Sequence, residues 1–224
     1  MKTLAIVGYG KMGRLIEQLA PEYGFTIHSR IDLNDDPGQA AGADVAVEFS
    51  VPDAVAGNVE ALALLGVPVV VGTTGWLARM DHVREVVTRN GTGLVWSPNF
   101  SIGVNVFFRV VREAAGLLAD ESQYGAWAWE IHHHTKKDAP SGTLIKLVEE
   151  MKTAGYPRPI DTSSNRAGAH PGTHEIGFDS VADTITLWHA ARSREGFARG
   201  ALKAAQWIVG KKGVFEFSEV LFER

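Results

Sequence analysis

The chain has 224 residues, of which 45% are hydrophobic and 21% charged, and its formal net charge is −4. This composition is typical of a globular protein with one large domain or two smaller ones, and it gives no reason to expect nucleic acid or an anionic membrane as a partner. The absence of cysteine excludes disulfides, thiolate catalysis and sulfur-ligated metals. Because there is neither a secretory h-region nor an apolar run of roughly 20 residues, we expect a soluble, cytoplasmic protein.

The first segment predicts a strand, a glycine turn and a helix. The apolar run 4–7 ends at Gly8, and Gly10 and Gly13 follow before a helical pattern that continues to Pro21. In this setting a G-x-G-x-x-G pattern binds a dinucleotide, because the glycines allow a tight turn and close approach of the pyrophosphate to the helix N-terminus. We therefore predict a dinucleotide site here.

The second predicted strand supplies a candidate for the adenosine end of that ligand. The strand-like run 25–28 continues to Asp32, an acid about 20 residues beyond the glycines, where a carboxylate commonly binds the ribose hydroxyls. Asp32 could also be only a turn residue. Lys11 and Arg30 lie where cations could meet a 2′-phosphate, so NADH and NADPH both remain open as cofactors.

Three more strand-like runs follow at 45–49, 67–71 and 93–96, separated by predicted helices at 51–65 and 76–89. This alternation predicts a parallel, doubly wound sheet with its ligand at the carboxyl ends of the strands. The turn Gly72-Thr73-Thr74-Gly75 falls at that edge, which favours a ligand shared with the first glycine turn over an ordinary turn. Asn99 could face a nicotinamide carboxamide or only shape the entry to the next helix.

The second half of the chain changes character. A predicted helix at 103–118 leaves the first unit, a strand-like run covers 124–131, and the runs 173–181 and 184–191 follow each other with no helix between them, which predicts an antiparallel or mixed sheet. Residues 157–171 are rich in proline, glycine and polar residues and predict a long mobile loop. A final helix at 197–209 and a short strand near 214–217 suggest a return to the first unit.

The predicted architecture is therefore α/β, with a Rossmann-like doubly wound parallel sheet and an inserted α+β substrate domain of mixed or antiparallel sheet. We assign residues 1–102 and 199–224 to the dinucleotide-binding domain. Residues 103–198 are assigned to the inserted domain, for which the family resemblance described below implies substrate binding and oligomerisation.

The segment W-E-I-H-H-H-T-K-K-D-A-P-S-G-T-L at 129–144 carries the candidate chemistry. Imidazole gains and loses a proton near neutral pH, and His132 and Lys136 would flank a substrate placed between them, so either could act as a general acid. Ser141, Gly142 and Thr143 open a predicted helix whose start offers hydroxyls and backbone N–H groups to a carboxylate. The segment favours a small dianionic substrate over a simple helix cap beside solvated histidines.

The three consecutive histidines do not predict a metal site. On a strand only the first and third share a face, whereas a stable site needs three or four convergent ligands. A purification tag fits even less well, because the histidines lie between a strand and a Pro-Ser-Gly-Thr turn. We expect no metal.

The motif E-I-H-H-H-T-K-K-D-A-P-S-G-T closely resembles that of the dihydrodipicolinate reductase (4-hydroxy-tetrahydrodipicolinate reductase) family of lysine and diaminopimelate biosynthesis. The stretches V-G-Y-G-K-M-G, V-G-T-T-G, S-P-N-F-S-I-G-V-N, P-G-T-H-E-I-G-F and G-A-L-K-A-A-Q-W also resemble that family, in its order. The resemblance covers nearly the whole chain, and the central motif is highly specific. It implies hydride transfer from NADH or NADPH to the ring of a cyclic dicarboxylate. Members of the family are commonly homotetramers formed through the substrate-domain sheet, which implies the same assembly here.

The resemblance also implies roles for individual residues. His132 matches the proposed proton donor and Lys136 its partner, while the residues matching substrate-carboxylate positions are His133, Ser141, Gly142 and Thr143. The predicted cofactor site comprises Gly8, Gly10, Lys11, Met12, Gly13, Asp32, Gly72, Thr73, Thr74, Ser97, Asn99, Phe100 and Arg194. Of these, Asp32 is a looser assignment, and Arg194 is placed only as a cation that could bridge substrate and cofactor.

The chain departs from the family pattern at a few positions. Thr135 stands where many members have another basic residue, and Leu144 replaces a small residue. The short linker between Asp32 and Val45 lies beside the adenosine end and leaves the cofactor preference open. Two other functions remain possible at this stage: a different two-domain NAD(P)-dependent dehydrogenase, and a dinucleotide-binding sensor without turnover.

Overall fold

The computed structural model describes residues 1–223, which form two compact units. The first unit comprises Met1–Ile102 and the chain from Glu195 onward, and the second comprises Gly103–Arg194. The sequence analysis places the return to the first unit at residue 199, four residues later. The last long helix already begins at Glu195, an acidic residue of the kind that helix N-termini favour.

The helices and strands alternate in the first hundred residues and then cease to do so. The strands are β1 (Lys2–Val7), β2 (Phe25–Ile31), β3 (Val45–Glu48), β4 (Val69–Val71), β5 (Gly93–Trp96), β6 (Gly125–His132), β7 (Ile160–Arg166), β8 (Thr173–Asp179), β9 (Thr184–Ala190) and β10 (Gly213–Glu216). The α-helices are α1 (Lys11–Leu19), α2 (Pro52–Leu64), α3 (Met80–Arg89), α4 (Ile102–Leu117), α5 (Gly142–Thr153), α6 (Glu195–Ile208) and α7 (Phe217–Phe222).

The first unit is built on a six-stranded parallel sheet in the order β10-β5-β4-β3-β1-β2. Successive residues of β1 serve opposite faces: Leu4 and Ile6 pack in the core under α1, α6 and α7, and Ala5 and Val7 pack in the core under α2 and α3. A strand covered on both faces must be apolar throughout, which explains its continuous hydrophobic run. The prediction of a doubly wound sheet is confirmed.

The second unit contains a four-stranded sheet in the order β7-β6-β8-β9. β6, β8 and β9 are antiparallel neighbours, and β7 runs parallel to β6, so the sheet is mixed, as predicted. Its inner face packs against α4 and α5 around residues such as Phe107, Leu147 and Ile176. The outer face exposes Trp188, which is 62% exposed.

The prediction of a loop over residues 157–171 is wrong for Ile160–Arg166, which forms the edge strand β7. Its sequence, I-D-T-S-S-N-R, has one apolar residue and mostly exposed side chains, so hydrophobic alternation could not indicate it. These residues form a strand because their backbone pairs with that of β6. Helix α7 also escaped prediction, although Glu216 and Glu219 form a capping box at its start.

Across residues 1–223, no helix is both long and apolar enough to cross a membrane.

Helix α6 packs so closely against the backbone at Phe100 that Gly200 leaves no room for a side chain. A Cβ on Gly200 would lie 1.7 Å from the carbonyl oxygen of Phe100, whereas a Cβ on Gly57, inside α2, would meet nothing within 4 Å. We expect Gly200→Ala to lower the free energy of unfolding by about 1–3 kcal/mol despite the better helix propensity of alanine. Gly57→Ala should instead raise it by about 0.5–1 kcal/mol. Urea denaturation of both variants tests this, and equal effects would contradict it.

Candidate active site

The glycine turn of the first unit forms a cradle in which side chains cannot be tolerated at two positions. Gly8 has a φ of +91°, and a Cβ there would lie 2.2 Å from the carbonyl oxygen of Phe49. A Cβ on Gly13 would lie 2.3 Å from the carbonyl oxygen of Gly8, whereas the space beside Gly10 is open. Gly10 is the N-cap of α1 and offers no side-chain cap, so the first N–H groups of the helix suit an anion.

A cavity of about 470 Å³ opens beside this helix start. Its lining comprises Gly10, Lys11, Met12, Phe49, Ser50, Pro52, Gly72, Thr73 and Thr74. The structure thus brings six of the predicted cofactor residues together, and the two glycine turns share one cavity at the carboxyl ends of the strands. Phe49, Ser50 and Pro52 follow β3 at the same edge. The signal for these lining residues is their position at or just beyond the carboxyl end of the strand predicted at 45–49. The cradle and cavity fit a dinucleotide.

A buried carboxyl group, Glu48, lies at the end of β3 behind this cavity. Ser50 Oγ donates a hydrogen bond to it, as does Asn58 Nδ2 at 3.3 Å, and Ser50 N donates to Thr73 Oγ1 at 2.8 Å. Burial raises the pKa of Glu48, and the hydrogen bonds from Ser50, Thr73 and Asn58 offset part of that rise. The network joins the loops after β3 and β4, both of which line the cavity.

Three other predicted cofactor residues lie after β5 and are engaged in local structure. Ser97 Oγ accepts a hydrogen bond from Asn99 N at 3.1 Å, and Asn99 Oδ1 accepts one from Ser101 N at 2.9 Å. The ring of Phe100 is buried, with its centroid 4.8 Å from that of Phe217. These residues shape the turn into α4, and their contact with a cofactor stays a prediction.

The adenosine-end candidates lie at the carboxyl end of β2. Asp32 is exposed, and its Oδ1 accepts a hydrogen bond from Leu33 N at 2.9 Å. Arg30 pairs with Glu17, which also accepts a hydrogen bond from Tyr9. The guanidinium of Arg30 is therefore already neutralised, whereas the carboxylate of Asp32 faces solvent.

The second unit contains a polar centre built around one buried carboxylate, Glu130 on β6, which is 0% exposed. Its Oε1 accepts hydrogen bonds from Ser141 N at 2.8 Å, Ser164 Oγ at 2.9 Å and Arg166 Nη2 at 2.9 Å. Its Oε2 lies 3.2 Å from His132 Nδ1 and 3.4 Å from His174 Nε2. We call these six residues the Glu130 network.

Burial by itself raises the pKa of Glu130, but the close contact with His174 and the hydrogen bonds from Ser141 and Arg166 outweigh it and hold that pKa well below its usual range. The carboxylate is therefore ionised. Burial lowers the pKa of His132 to about 4; Glu130 opposes this shift, and His174, Lys136 and Arg166 add to it. His132 is thus neutral at neutral pH in the free chain.

Sequence reasoning missed Glu130, His174 and Arg166 as members of the site. Glu130 and His132 lie on the same face of β6 because strand side chains alternate, and this period was the available signal. His174 is the antiparallel partner of Glu130 on β8, and Arg166 is the parallel partner of His132 on β7. Strand pairing between distant segments is what a single sequence does not reveal.

The substrate-binding candidates lie around the start of α5. Ser141 is its N-cap, with Oγ accepting from Leu144 N at 3.2 Å, and Gly142 and Thr143 are in the first turn, where backbone N–H groups have no partner within the helix. The structure thus combines the predicted anion-binding start with the Glu130 network, since Ser141 belongs to both.

The remaining candidates lie in or beyond the turn after β6. Lys136 Nζ pairs with Asp138 at 2.7 Å, and His133 Nδ1 lies 2.7 Å from Thr135 Oγ1. Arg194 is exposed at the end of the second unit. Each of these assignments stays a prediction.

The Glu130 network also places potential metal ligands together, since one atom from each of Glu130, His132 and His174 lies within 4.8 Å of the others. The sequence analysis did not foresee this convergence. However, Arg166 already neutralises the same carboxylate at 2.9 Å, and it would repel a second cation. We therefore retain the prediction that the site holds no metal.

Two family models match the chain. The model described as "Dihydrodipicolinate reductase, N-terminus" covers residues 2–100, and "Dihydrodipicolinate reductase, C-terminus" covers residues 103–221. The chain belongs to the dihydrodipicolinate reductase family. This confirms the resemblance found in the sequence, and it makes the chain an oxidoreductase of a family that uses a nicotinamide cofactor.

Relatives named 4-hydroxy-tetrahydrodipicolinate reductase match almost end to end. The relative from Christiangramia forsetii is 36% identical, with 98% of this chain and 97% of the relative covered. The relative from Archaeoglobus fulgidus is 34% identical, with 95% of this chain and 96% of the relative covered. Both alignments therefore include the two units.

Solved structures share the fold. A dipicolinate-bound dihydrodipicolinate reductase from Paenisporosarcina sp. TG-14 has a TM-score of 0.81 at 20% identity, covering 98% of this chain and 99% of the other. Aspartate dehydrogenase from Thermotoga maritima has a TM-score of 0.53 at 10% identity, covering 94% of this chain and 98% of the other. This likeness to an amino-acid dehydrogenase shows a shared fold and does not bear on the activity.

The Glu130 network predicts that acid destabilises the protein. Because the pKa of His132 is about 4 in the folded chain and 6.5 ordinarily, the unfolded chain binds more protons between those pH values. The free energy of unfolding therefore falls as pH drops from about 6.5 towards 4, and the lowered pKa of Glu130 adds a loss below its ordinary 4.5.

We expect the melting temperature of His132→Gln to fall less than that of the wild type when the pH is lowered from 7 to 5. Thermal denaturation at the two pH values measures this difference. The same substitution at the exposed His170 controls for the loss of a histidine. Parallel profiles for wild type and His132→Gln would contradict the prediction.

Proposed function

We propose that this protein reduces 4-hydroxy-tetrahydrodipicolinate to tetrahydrodipicolinate with NADH or NADPH, in the cytoplasmic biosynthesis of diaminopimelate and lysine. The observation that carries the proposal is the Glu130 network, which places a buried imidazole, His132, next to the anion-accepting start of α5. A cyclic dicarboxylate needs anchors for two negative charges and a proton source beside its ring. The second unit offers both.

The substrate carboxylates are anchored by two sets of groups. One carboxylate accepts hydrogen bonds from Ser141, Gly142 and Thr143 at the start of α5, where the helix dipole favours an anion. The other meets His133 and the ammonium group of Lys136. Since Lys136 pairs with the exposed Asp138 in the free chain, the incoming carboxylate exchanges one counter-ion for another. Two anchors hold the ring in a fixed orientation, which lowers the entropic part of the barrier.

The cofactor is held by the first unit. The N-terminus of α1 with Gly10, Lys11 and Met12 would hold its pyrophosphate, and Thr73 and Thr74 line the rest of the same cavity. The hydroxyl group at C4 of the substrate leaves with a ring proton as water, and a bound reduced nicotinamide would supply a hydride to C4 of the resulting conjugated ring. His132 then gives a proton to the enamine that remains, so that water is lost and one hydride and one proton are added. Lys136 stabilises the negative charge of the substrate during this step.

The cofactor preference follows from the end of β2. Asp32 presents an exposed carboxylate where the ribose hydroxyls of NADH would lie, and that charge would repel a 2′-phosphate. Arg30, the cation that could bind such a phosphate, is paired with Glu17. Lys11, the other candidate cation, lines the cavity beside the start of α1, where the pyrophosphate is proposed to bind. We therefore assign NADH as the preferred cofactor, with NADPH accepted less well.

The outer face of the second sheet suits assembly into a tetramer. Trp129, Glu175 and Trp188 lie side by side on β6, β8 and β9, and the exposed Trp188 leaves apolar surface for a partner. The molar mass measured by light scattering at micromolar concentration tests the tetramer, and the mass of a monomer would contradict it.

The direct test is oxidation of NADH and NADPH, in parallel, with substrate generated by an aldolase from pyruvate and aspartate semialdehyde. Rapid substrate-dependent oxidation supports the reductase. Binding of either cofactor without oxidation would instead favour the alternative of a dinucleotide-binding sensor.

In that assay, His132→Ala should lower kcat by about 10²–10⁴-fold, the usual loss for a general acid. His134→Ala is the matched control, because His134 is exposed and bonded to the carbonyl of Gly168 rather than to the Glu130 network. Lys136→Ala should lower kcat and raise KM together. Near-normal turnover of His132→Ala would rule out His132 as the donor.

Substitution at the adenosine end should change the cofactor preference. We expect Asp32→Ser to weaken NADH binding about tenfold, which corresponds to about 1.4 kcal/mol, and to weaken NADPH binding less or not at all. Asp81→Asn, at an exposed aspartate on α3, serves as control. Cofactor fluorescence titrations measure both affinities, and an equal change for the two cofactors would contradict the assignment.

A further inference from the structure

The two oxygens of Glu130 have different surroundings. Oε1 accepts three hydrogen bonds, from Ser141, Ser164 and Arg166. Oε2 is buried, has no well-aligned hydrogen bond, and lies 3.2 Å from His132 Nδ1 and 3.4 Å from His174 Nε2. The carboxylate is thus fixed through Oε1, and Oε2 is directed at two imidazoles.

This arrangement distinguishes the two nitrogens of His132. Nδ1 is buried against the carboxylate, which favours a proton on Nδ1. Nε2 lies on the other side of the ring beside Gly172, where a Cβ would be only 2.9 Å away. Because residue 172 is glycine, with a φ of +139°, no side chain at that position covers Nε2, which, unlike Nδ1, is not a buried unpartnered atom.

The charges around His132 do not favour an imidazolium in the free chain. Glu130 on β6 is negative, Arg166 on β7 and Lys136 in the turn after β6 are positive, and His174 on β8 is the other titratable neighbour. Lys136 is itself paired with the exposed Asp138. The burial cost of an imidazolium therefore dominates, and the ring stays neutral. A dianion bound at the start of α5 would add two negative charges and change that balance.

We propose that Glu130 is a positioning residue that holds His132 with Nδ1 protonated and Nε2 free, so that binding of a dianion draws one proton from solvent onto Nε2. The inference rests on the proposed function and deepens it. His132 therefore gains its second proton only when substrate is bound. Ser141 links substrate binding to this protonation, because it lies at the start of α5 and its N–H donates a hydrogen bond to Glu130 at 2.8 Å. No bond other than N–H forms, and the proton comes from water or buffer.

Proton uptake on binding is measurable without turnover. Dipicolinate, an aromatic dianion, is titrated by calorimetry into the NADH-saturated chain at pH 7, in three buffers that differ in ionisation enthalpy. The dependence of the observed heat on buffer enthalpy gives the number of protons taken up. We expect about one proton per bound dipicolinate in the wild type, because linkage requires uptake when binding raises a pKa through the ambient pH.

Variants locate the proton and the residue that positions it. His132→Gln and Glu130→Gln should both bind dipicolinate with less than about half of the wild-type uptake. His189→Gln is the matched control, because burial also lowers the pKa of His189 but its ring packs against Phe107 rather than Glu130; it should keep full uptake.

The outcomes separate the two proposals. Dipicolinate binding without proton uptake, or full uptake in Glu130→Gln, overturns the inference and leaves the reductase proposal standing. No dipicolinate binding by the wild type, together with no substrate-dependent NADH oxidation, overturns both.

Loss of the buried carboxylate could prevent folding of Glu130→Gln, so a second measurement uses the wild type. Neutron diffraction shows imidazole protons directly. We expect His132 to carry a proton on Nδ1 alone in the free chain and on both nitrogens with dipicolinate bound. A proton on Nε2 alone in the free chain, or a neutral ring in the complex, overturns the inference.

Discussion

The second unit depends on the burial of one carboxylate charge. Glu130 links strand β6 to β7 through Ser164 and Arg166, and to the start of α5 through Ser141. A buried charge is tolerated only when its partners satisfy it, and removing one partner of such a pair typically costs about 3–5 kcal/mol. The geometry of the site is therefore a consequence of the same contacts that allow the ion to be buried.

In the proposed function the two units have separate roles. The first supplies a glycine cradle and a cavity at the carboxyl ends of parallel strands, which is where doubly wound sheets bind dinucleotides. The second supplies an anion-accepting helix start and an imidazole kept neutral by burial. A neutral histidine would not protonate a product, so the proposed mechanism requires that the substrate itself restore the charge.

Features that depend on local sequence were predicted well. The strand–glycine–helix order gave the first sheet, and the Gly72–Gly75 turn was placed correctly beside the first glycine turn. Features that depend on pairing between distant strands were not. The polar, exposed side chains of β7 predict a loop, and Arg166 and His174 reach Glu130 only through strand register. Burial was the other missing quantity, since it decides the pKa of His132.

The most direct test of this account is a crystal structure of the chain with NADH and dipicolinate. The account predicts one ligand carboxylate on the N–H groups at the start of α5, His132 Nε2 within hydrogen-bond distance of the ligand, and Nδ1 still facing Glu130. It also predicts the cofactor pyrophosphate at the N-terminus of α1. Dipicolinate bound away from residues 141–143, or a His132 ring turned from Glu130, would contradict it.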